Sequence, residues 1–216
     1  MTSLTSSTMT VADAIHRRRS VRSYTTEAID EATVRALLTA AVQAPTAMHA
    51  EPWMFVVVQD RPALKRYSDM AKATLLKEAE RYGNLHDPSV TPKNDGFLAV
   101  LGRAGFNVFY NAGTLILICS RSTNPFVAAD CWLAAENLML AAAAMGLGTC
   151  CIGSALHAVN APDVKAELGI APDVNVVAAI VAGVPAELPV PQGRKEPVIL
   201  TWKKTASDHA PLDQEC

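Results

Sequence analysis

Four arginines and a serine crowd into seven residues, His16-Arg17-Arg18-Arg19-Ser20-Val21-Arg22. Guanidinium groups form paired, charge-assisted hydrogen bonds to phosphate, and a serine hydroxyl adds a donor, so the segment is a candidate phosphate cradle. The same residues also suit a solvated helix end, where cations meet the negative pole of the dipole.

Three more segments carry candidate chemistry. Ala44-Pro45-Thr46-Ala47-Met48-His49-Ala50-Glu51-Pro52-Trp53 turns between two prolines, and its small residues Ala47 and Ala50 would let a flat ligand approach the backbone. His49 can serve as a base, a ligand or a donor, or be a loop histidine with no special task; no second histidine stands at metal-ligand spacing. Gly146-Leu147-Gly148-Thr149-Cys150-Cys151-Ile152-Gly153-Ser154 offers glycines and backbone amides after an apolar helix. It is neither a Walker loop nor a dinucleotide fingerprint, and it also reads as a helix cap leading into a strand. Successive strand side chains point to opposite faces, so Cys150 and Cys151 read as small buried hydrophobes rather than a disulfide. Gly193-Arg194-Lys195 is a charged turn that matters only if the fold returns it to Arg18, Arg19 and Arg22.

The elements that must position these residues follow from pattern. A short helix is expected from Val11 to Arg18, capped by Thr10, with extended chain from Val21 to Tyr24. Asp30 caps a second helix with apolar residues at helical spacing, which Pro45 forces to stop at Ala44. Pro52 to Gln59 is too uniformly apolar for a half-wet strand and reads as a central strand buried on both faces. An amphipathic helix spans Arg61 to Arg81, and Tyr82 to Gly105 reads as a mobile loop with short helical pieces. Strands are expected at Thr114–Cys119, Thr149–Ile152 and Asn175–Val184, with a fifth at Val198–Trp202 beyond a Pro/Gly-rich arm. The helix at Pro125–Met145 is so apolar that it must be covered on all sides, and a partner subunit is an apt cover. A short helix at Ala161–Leu168 stops at Gly169. Together these give an α+β sandwich, a sheet packed between helices.

The bulk properties exclude several classes. The 216 residues are half hydrophobic, enough for one sizeable core, and the net charge of −2 shows no basic excess of the nucleic-acid-binding kind. The apolar stretch Leu138–Gly153 falls short of a membrane span. Residues 1–10 are Ser/Thr-rich without an apolar core, so no secretory signal is expected. The odd count of five cysteines, with no Cys-x-x-Cys, fits reduced thiols in the cytoplasm. No Ser-His-Asp or paired-carboxylate arrangement is visible.

Taken in order, the four segments resemble the FMN-dependent nitroreductase family. Arg18-Arg19-Ser20-Val21-Arg22 matches its opening motif, Ala44 to Trp53 its Pro-Trp turn, Gly146 to Gly153 its glycine-rich strand, and Arg194-Lys195 its late basic pair. The resemblance spans about residues 11–202 as one FMN-binding domain. It treats 185–202 as an arm with an added strand, 1–10 as a flexible tail and 203–216 as a C-terminal tail. It implies an α/β/α sandwich with a mixed, mostly antiparallel sheet, built as an intertwined homodimer with two sites at the interface. Arg18, Arg19, Ser20 and Arg22 should then hold the FMN phosphate, ribityl and pyrimidine edge, joined by Arg194 and Lys195. Pro45, Thr46, Ala47 and His49 should line the flavin from the other subunit, and Cys151, Ile152 and Gly153 should lie against its ring. It further implies ping-pong hydride transfer from NADH or NADPH to a small acceptor such as a nitroaromatic, quinone or enone. Relatives with other reductive roles (dehalogenation, semialdehyde or flavin reduction) and a flavin-binding module without turnover are the alternatives. His49 and Glu51 replace the family's Asn and Gln, and Cys151 stands where many relatives carry a bulky aromatic.

Overall fold

A computed structural model describes residues 9–83, 99–190 and 193–203. Helix α1 (Val11–Arg17) opens with a capping box: Thr10 Oγ1 accepts the Asp13 N–H at 3.1 Å and Asp13 Oδ2 accepts the Thr10 N–H at 3.3 Å. Helix α2 (Glu31–Ala41) is capped by Asp30, whose Oδ1 accepts the Thr33 N–H at 2.6 Å, and it buries Val34, Leu37 and Ala41. Strand β1 (Met54–Val58) leads into α3 (Arg61–Gly83), where Asp60 Oδ1 accepts the Ala63 N–H at 2.8 Å. Then follow β2 (Thr114–Ser120), α4 (Val127–Ala144), β3 (Gly148–Cys151), α5 (Leu156–Val159), α6 (Pro162–Glu167) and β4 (Asn175–Gly183). Pro162 sits at the start of α6, where its missing N–H costs nothing, and Gly169 beyond it adopts φ +67°.

The four strands are antiparallel in the order β1-β2-β4-β3. Alternation along β2 divides the core. Leu115, Leu117 and Cys119 pack with Leu64, Tyr67, Val159 and Val164 of α3, α5 and α6. Ile116 and Ile118 pack with Leu37, Ala41, Cys131, Ala134 and Leu138 of α2 and α4. Both faces are covered, so β2 is buried throughout, and the α/β/α sandwich expected from the sequence is present.

Several expectations change. The Pro52–Gln59 run forms an edge strand, not a central one, with Met54 and Val57 exposed. Nor is it buried on both faces, since only Val58 is buried: an apolar run by itself fixes neither a strand's place in the sheet nor the cover on its faces. Residues 193–203 adopt no strand, so the fifth strand at Val198–Trp202 is not formed within the protomer. The single turn of α5 was not legible, because Ser154-Ala155-Leu156-His157 has no helical periodicity of useful length. Helix α3 runs on to Gly83, and residues 99–101 are helical, while 84–98 of the expected loop lie outside the described residues. So do most of the expected tails, at 1–8 and 204–216. Helix α4 is long and apolar enough to cross a membrane by length and composition. Here it is the inner helix of one layer, with Ala134, Ala135, Leu138 and Ala142 fully buried. Its opposite face leaves Trp132 and Leu133 exposed.

Candidate functional site

Residues 20–25 form a strap laid between the outer edge of β3 and the chain leaving β4. The Val21 N–H donates to the Thr149 carbonyl at 2.9 Å, and Ser20 makes a parallel bridge to Thr149. On the other side, Thr25 N–H donates to Val184 O at 2.9 Å and Ala186 N–H to Ser23 O at 3.0 Å. Two glycines permit this close approach. A Cβ on Gly148 would stand 2.8 Å from Val21, and one on Gly183 would stand 2.8 Å from the Tyr24 ring. Because the strap and the outgoing chain run together, the late arm returns to the arginines. Arg18, Arg19, Ser20, Arg22, Pro189, Val190 and Arg194 line one cleft of 210 Å³.

The arginines are not equivalent. Arg18 pairs with Glu136 of α4 at 3.6 Å. Arg19 folds back and donates through Nη1 to the carbonyls of His16 and Arg18 at 2.6 and 2.7 Å, so it caps the end of α1. Its Nε is buried without a hydrogen-bond partner. Arg22 stands 5.9 Å over the Tyr110 ring, with Nη1 3.4 Å from the Ser20 carbonyl. Among the described residues, Glu136 is the one carboxylate within ion-pair distance of this group.

Beyond β3 the chain turns sharply. The Ile152 N–H is spent on the Ala179 carbonyl at 2.8 Å, whereas Gly153 begins a 3-10 turn, a position whose N–H has no partner within the turn. A Cβ built on Gly153 would meet nothing within 4 Å, so the space over this corner is open. Cys151 is exposed rather than buried as expected, at the end of β3 with Sγ 3.5 Å from Met139 Sδ, while Cys150 is buried on the opposite face. Burial pushes both thiols up, with the Arg18 charge pulling back on each.

The turn after α2 projects away from the core. Met48, His49 and Glu51 hold positive φ of 54°, 54° and 40°, a costly backbone for side-chain-bearing residues. His49 Nε2 lies 3.3 Å from Glu51 Oε1, both exposed. The Ala47 N–H donates to the buried carboxyl of Asp130 at 3.2 Å.

The fold thus brings together Arg18, Arg19, Ser20, Arg22 and Arg194, and sets Cys151 within the field of Arg18. It does not bring Pro45, Thr46, Ala47, His49, Cys151, Ile152, Gly153 or Lys195 into the lining of that cleft. Glu136, Tyr110, Pro189, Val190 and Asp130 were not singled out from the sequence. The only signal for the two acids was that they interrupt an otherwise apolar helix.

The family model described as the nitroreductase family matches residues 15–184. The chain belongs to the nitroreductase family. A relative from Archaeoglobus fulgidus, provisionally named an NADH dehydrogenase/NAD(P)H nitroreductase, is 27% identical over 178 residues, covering 80% of this chain and 84% of its own. Among solved structures, a Bacteroides fragilis nitroreductase with bound FMN superposes with a TM-score of 0.72 at 24% identity. It covers 90% of this chain and 98% of its own. Oxidized iodotyrosine deiodinase bound to FMN and 3-iodo-L-tyrosine gives a TM-score of 0.72 at 21% identity, covering 91% of this chain and all 100% of its own. At these identities the structures show a shared nitroreductase fold. The family match ends at Val184, where the arm carrying Arg194 has begun to leave β4.

Proposed function

We propose that the protein is a cytoplasmic, homodimeric FMN-dependent oxidoreductase that takes electrons from NADH or NADPH and delivers them to a small acceptor. The observation that carries this is the single cleft shared by Arg18, Arg19, Ser20, Arg22 and Arg194. The residues fit a phosphate-bearing cofactor: several guanidinium donors, a hydroxyl, one nearby carboxylate and a buried Arg19 Nε still lacking a partner. FMN-bound neighbours of the same fold support the same choice.

Arg18, Ser20, Arg22 and Arg194 would hold the phosphate and polar edge, with Lys195 beside them. The backbone from Cys151 to Gly153 would floor the ring, and the Gly153 N–H is the donor left at that corner. Pro45, Thr46, Ala47 and His49 would close the same site from the partner subunit. Bound FMN supplies the hydride chemistry in both half-reactions. The chain binds and orients, and its arginines hold fixed positive charge where negative charge grows on reduction. The dimer reading rests, among the described residues, on the exposed Trp132 and Leu133 face of α4, the unpaired edge of β1 and an arm whose Val198 and Leu200 are 86% and 93% exposed.

The test is the visible spectrum of the purified protein, followed anaerobically. A flavin band should appear, bleach with NADH or NADPH, and return on adding a nitroaromatic, quinone or enone, with ping-pong kinetics. A colourless protein that takes up no FMN refutes the reading. The equal structural likeness to a deiodinase favours one second reading, a different reductive role in the same site. Profiling halogenated phenols, semialdehydes and free flavin as acceptors separates the two, and a bound flavin that no nicotinamide reduces marks a module without turnover.

A further inference from the structure

Asp130 is the odd residue of α4. Its side chain is 4% exposed, in a helix whose other buried residues are Cys131, Ala134, Ala135, Leu138, Met139 and Ala142. A buried carboxyl group is expensive unless something uses it, although the N-terminal turn of a helix lowers that cost. Its partner lies outside the helix: Oδ1 accepts the Ala47 N–H at 3.2 Å, 83 positions away in sequence. That amide opens the turn in which Met48, His49 and Glu51 all adopt positive φ. Such backbone persists only where its surroundings over-determine it. The turn's remaining bonds are internal: Ala50 N–H to Ala47 O at 3.1 Å, Glu51 N–H to Thr46 Oγ1 at 3.4 Å, and the His49–Glu51 pair at 3.3 Å. Among the described residues, the Asp130 bond is the only hydrogen bond tying residues 45–51 to another element.

We propose that Asp130 is a positioning residue for the cofactor site: by holding the Ala47 amide it locks the strained 45–51 turn, and His49 with it, into the shape that closes over the flavin. This rests on the FMN reading above. Asp130 touches no reacting atom and acts through the turn. Its helix also carries Glu136, the partner of Arg18, so α4 would fix both the turn and the arginine cleft.

Three variants test it. Asp130→Asn keeps an acceptor oxygen in place, and Asp130→Leu removes it. Ala47→Pro removes the donor with little strain, because Thr46 is already extended at φ −131°, ψ 148° and proline suits the first residue of a helical turn. FMN affinity is read by fluorescence titration of apoprotein, and fold stability by thermal unfolding of the same apoprotein. D130L and A47P should each weaken FMN binding about tenfold or more, while D130N stays near wild type. The D130L/A47P double variant should bind no more weakly than the weaker single, since both delete one bond. Should D130L not fold, A47P against D130N makes the same comparison. Variants that bind FMN like wild type, D130N as weak as D130L, or affinity losses that merely track losses of melting temperature overturn the assignment. A wild-type protein that takes up no FMN overturns the flavin reading and this inference with it, so the first titration separates the two failures.

Discussion

Arg22 sits between two demands, lying over the Tyr110 ring while its exposed guanidinium faces the cleft shared with Arg18 and Arg194. Little of the fold depends on it, so Arg22→Ala should cost FMN affinity rather than stability. A charge-assisted hydrogen bond contributes about 1.5–3 kcal/mol, tenfold or more in Kd. Fluorescence titration beside a urea melt checks this, and full flavin occupancy at low FMN would refute it. Arg22→Lys should recover part of the affinity, because charge returns without the planar fork. The thiols give a pH prediction. Burial pushes Cys119 and Cys131 up to about 11 from 9.0, the nearby Asp130 charge adding to the second. The unfolded chain would release these protons first, so their contribution to stability is whole below pH 9 and drains away as pH rises through about 11. Urea midpoints should fall between about pH 8 and about pH 10.5, and fall less in Cys131→Ala. The arginines were legible because their spacing is local. The division of labour among them was not. Arg19 turning back to cap α1, and Glu136 reaching Arg18 from the middle of α4, depend on three-dimensional neighbours that no local pattern encodes.

The strap at residues 20–25 turns those side chains into a site, and its seating depends on Gly148. A methyl there would lie 2.8–2.9 Å from Val21 Cβ and both its methyls, while the Val21 N–H is tied to Thr149 at 2.9 Å. Neither partner can yield without breaking the bridge. Gly148→Ala should therefore destabilise by about 1–3 kcal/mol and also weaken FMN binding, since Ser20 and Arg22 ride on the displaced strap. Gly146→Ala is the control. Gly146 has φ +76° with open space around it, so the substitution costs only backbone strain, about 1 kcal/mol. Its FMN affinity should stay at the wild-type value; equal flavin losses in the two variants would remove the strap from the explanation. The caps at Thr10 and Asp30 and the stop at Gly169 were readable, because each places a specific residue type at a specific position. The place of β1 in the sheet was not, since Met54–Val58 has the same composition at an edge as in a centre.

Across the whole molecule, unfinished surfaces occur in complementary kinds. The outer edge of β3 is occupied by the strap, whereas among the described residues β1 pairs only with β2 and keeps an open edge bearing exposed Met54 and Val57. An open apolar edge invites another strand. The arm offers one: Val198-Ile199-Leu200-Thr201-Trp202 is β-prone in type, and its Val198, Ile199 and Leu200 are 86%, 59% and 93% exposed. A chain that found this edge on its own protomer would have no reason to leave these residues in water. In the proposed dimer a second copy would supply the edge, and by symmetry receive one in return. The same exchange would cover Trp132 and Leu133 of α4 and carry the 45–51 turn toward the partner's arginines. Placing charge on the arm tests all of this at once. Val198→Asp with Leu200→Asp should leave the protomer's core intact, since neither residue packs in it, yet shift sedimentation from dimer toward monomer. Flavin affinity should fall with the dimer fraction, because the arm holds Arg194 and the proposed site draws on both chains. A double variant that stays dimeric would remove the arm from the interface, and a monomer that binds FMN as tightly as wild type would mean that one protomer builds the site alone.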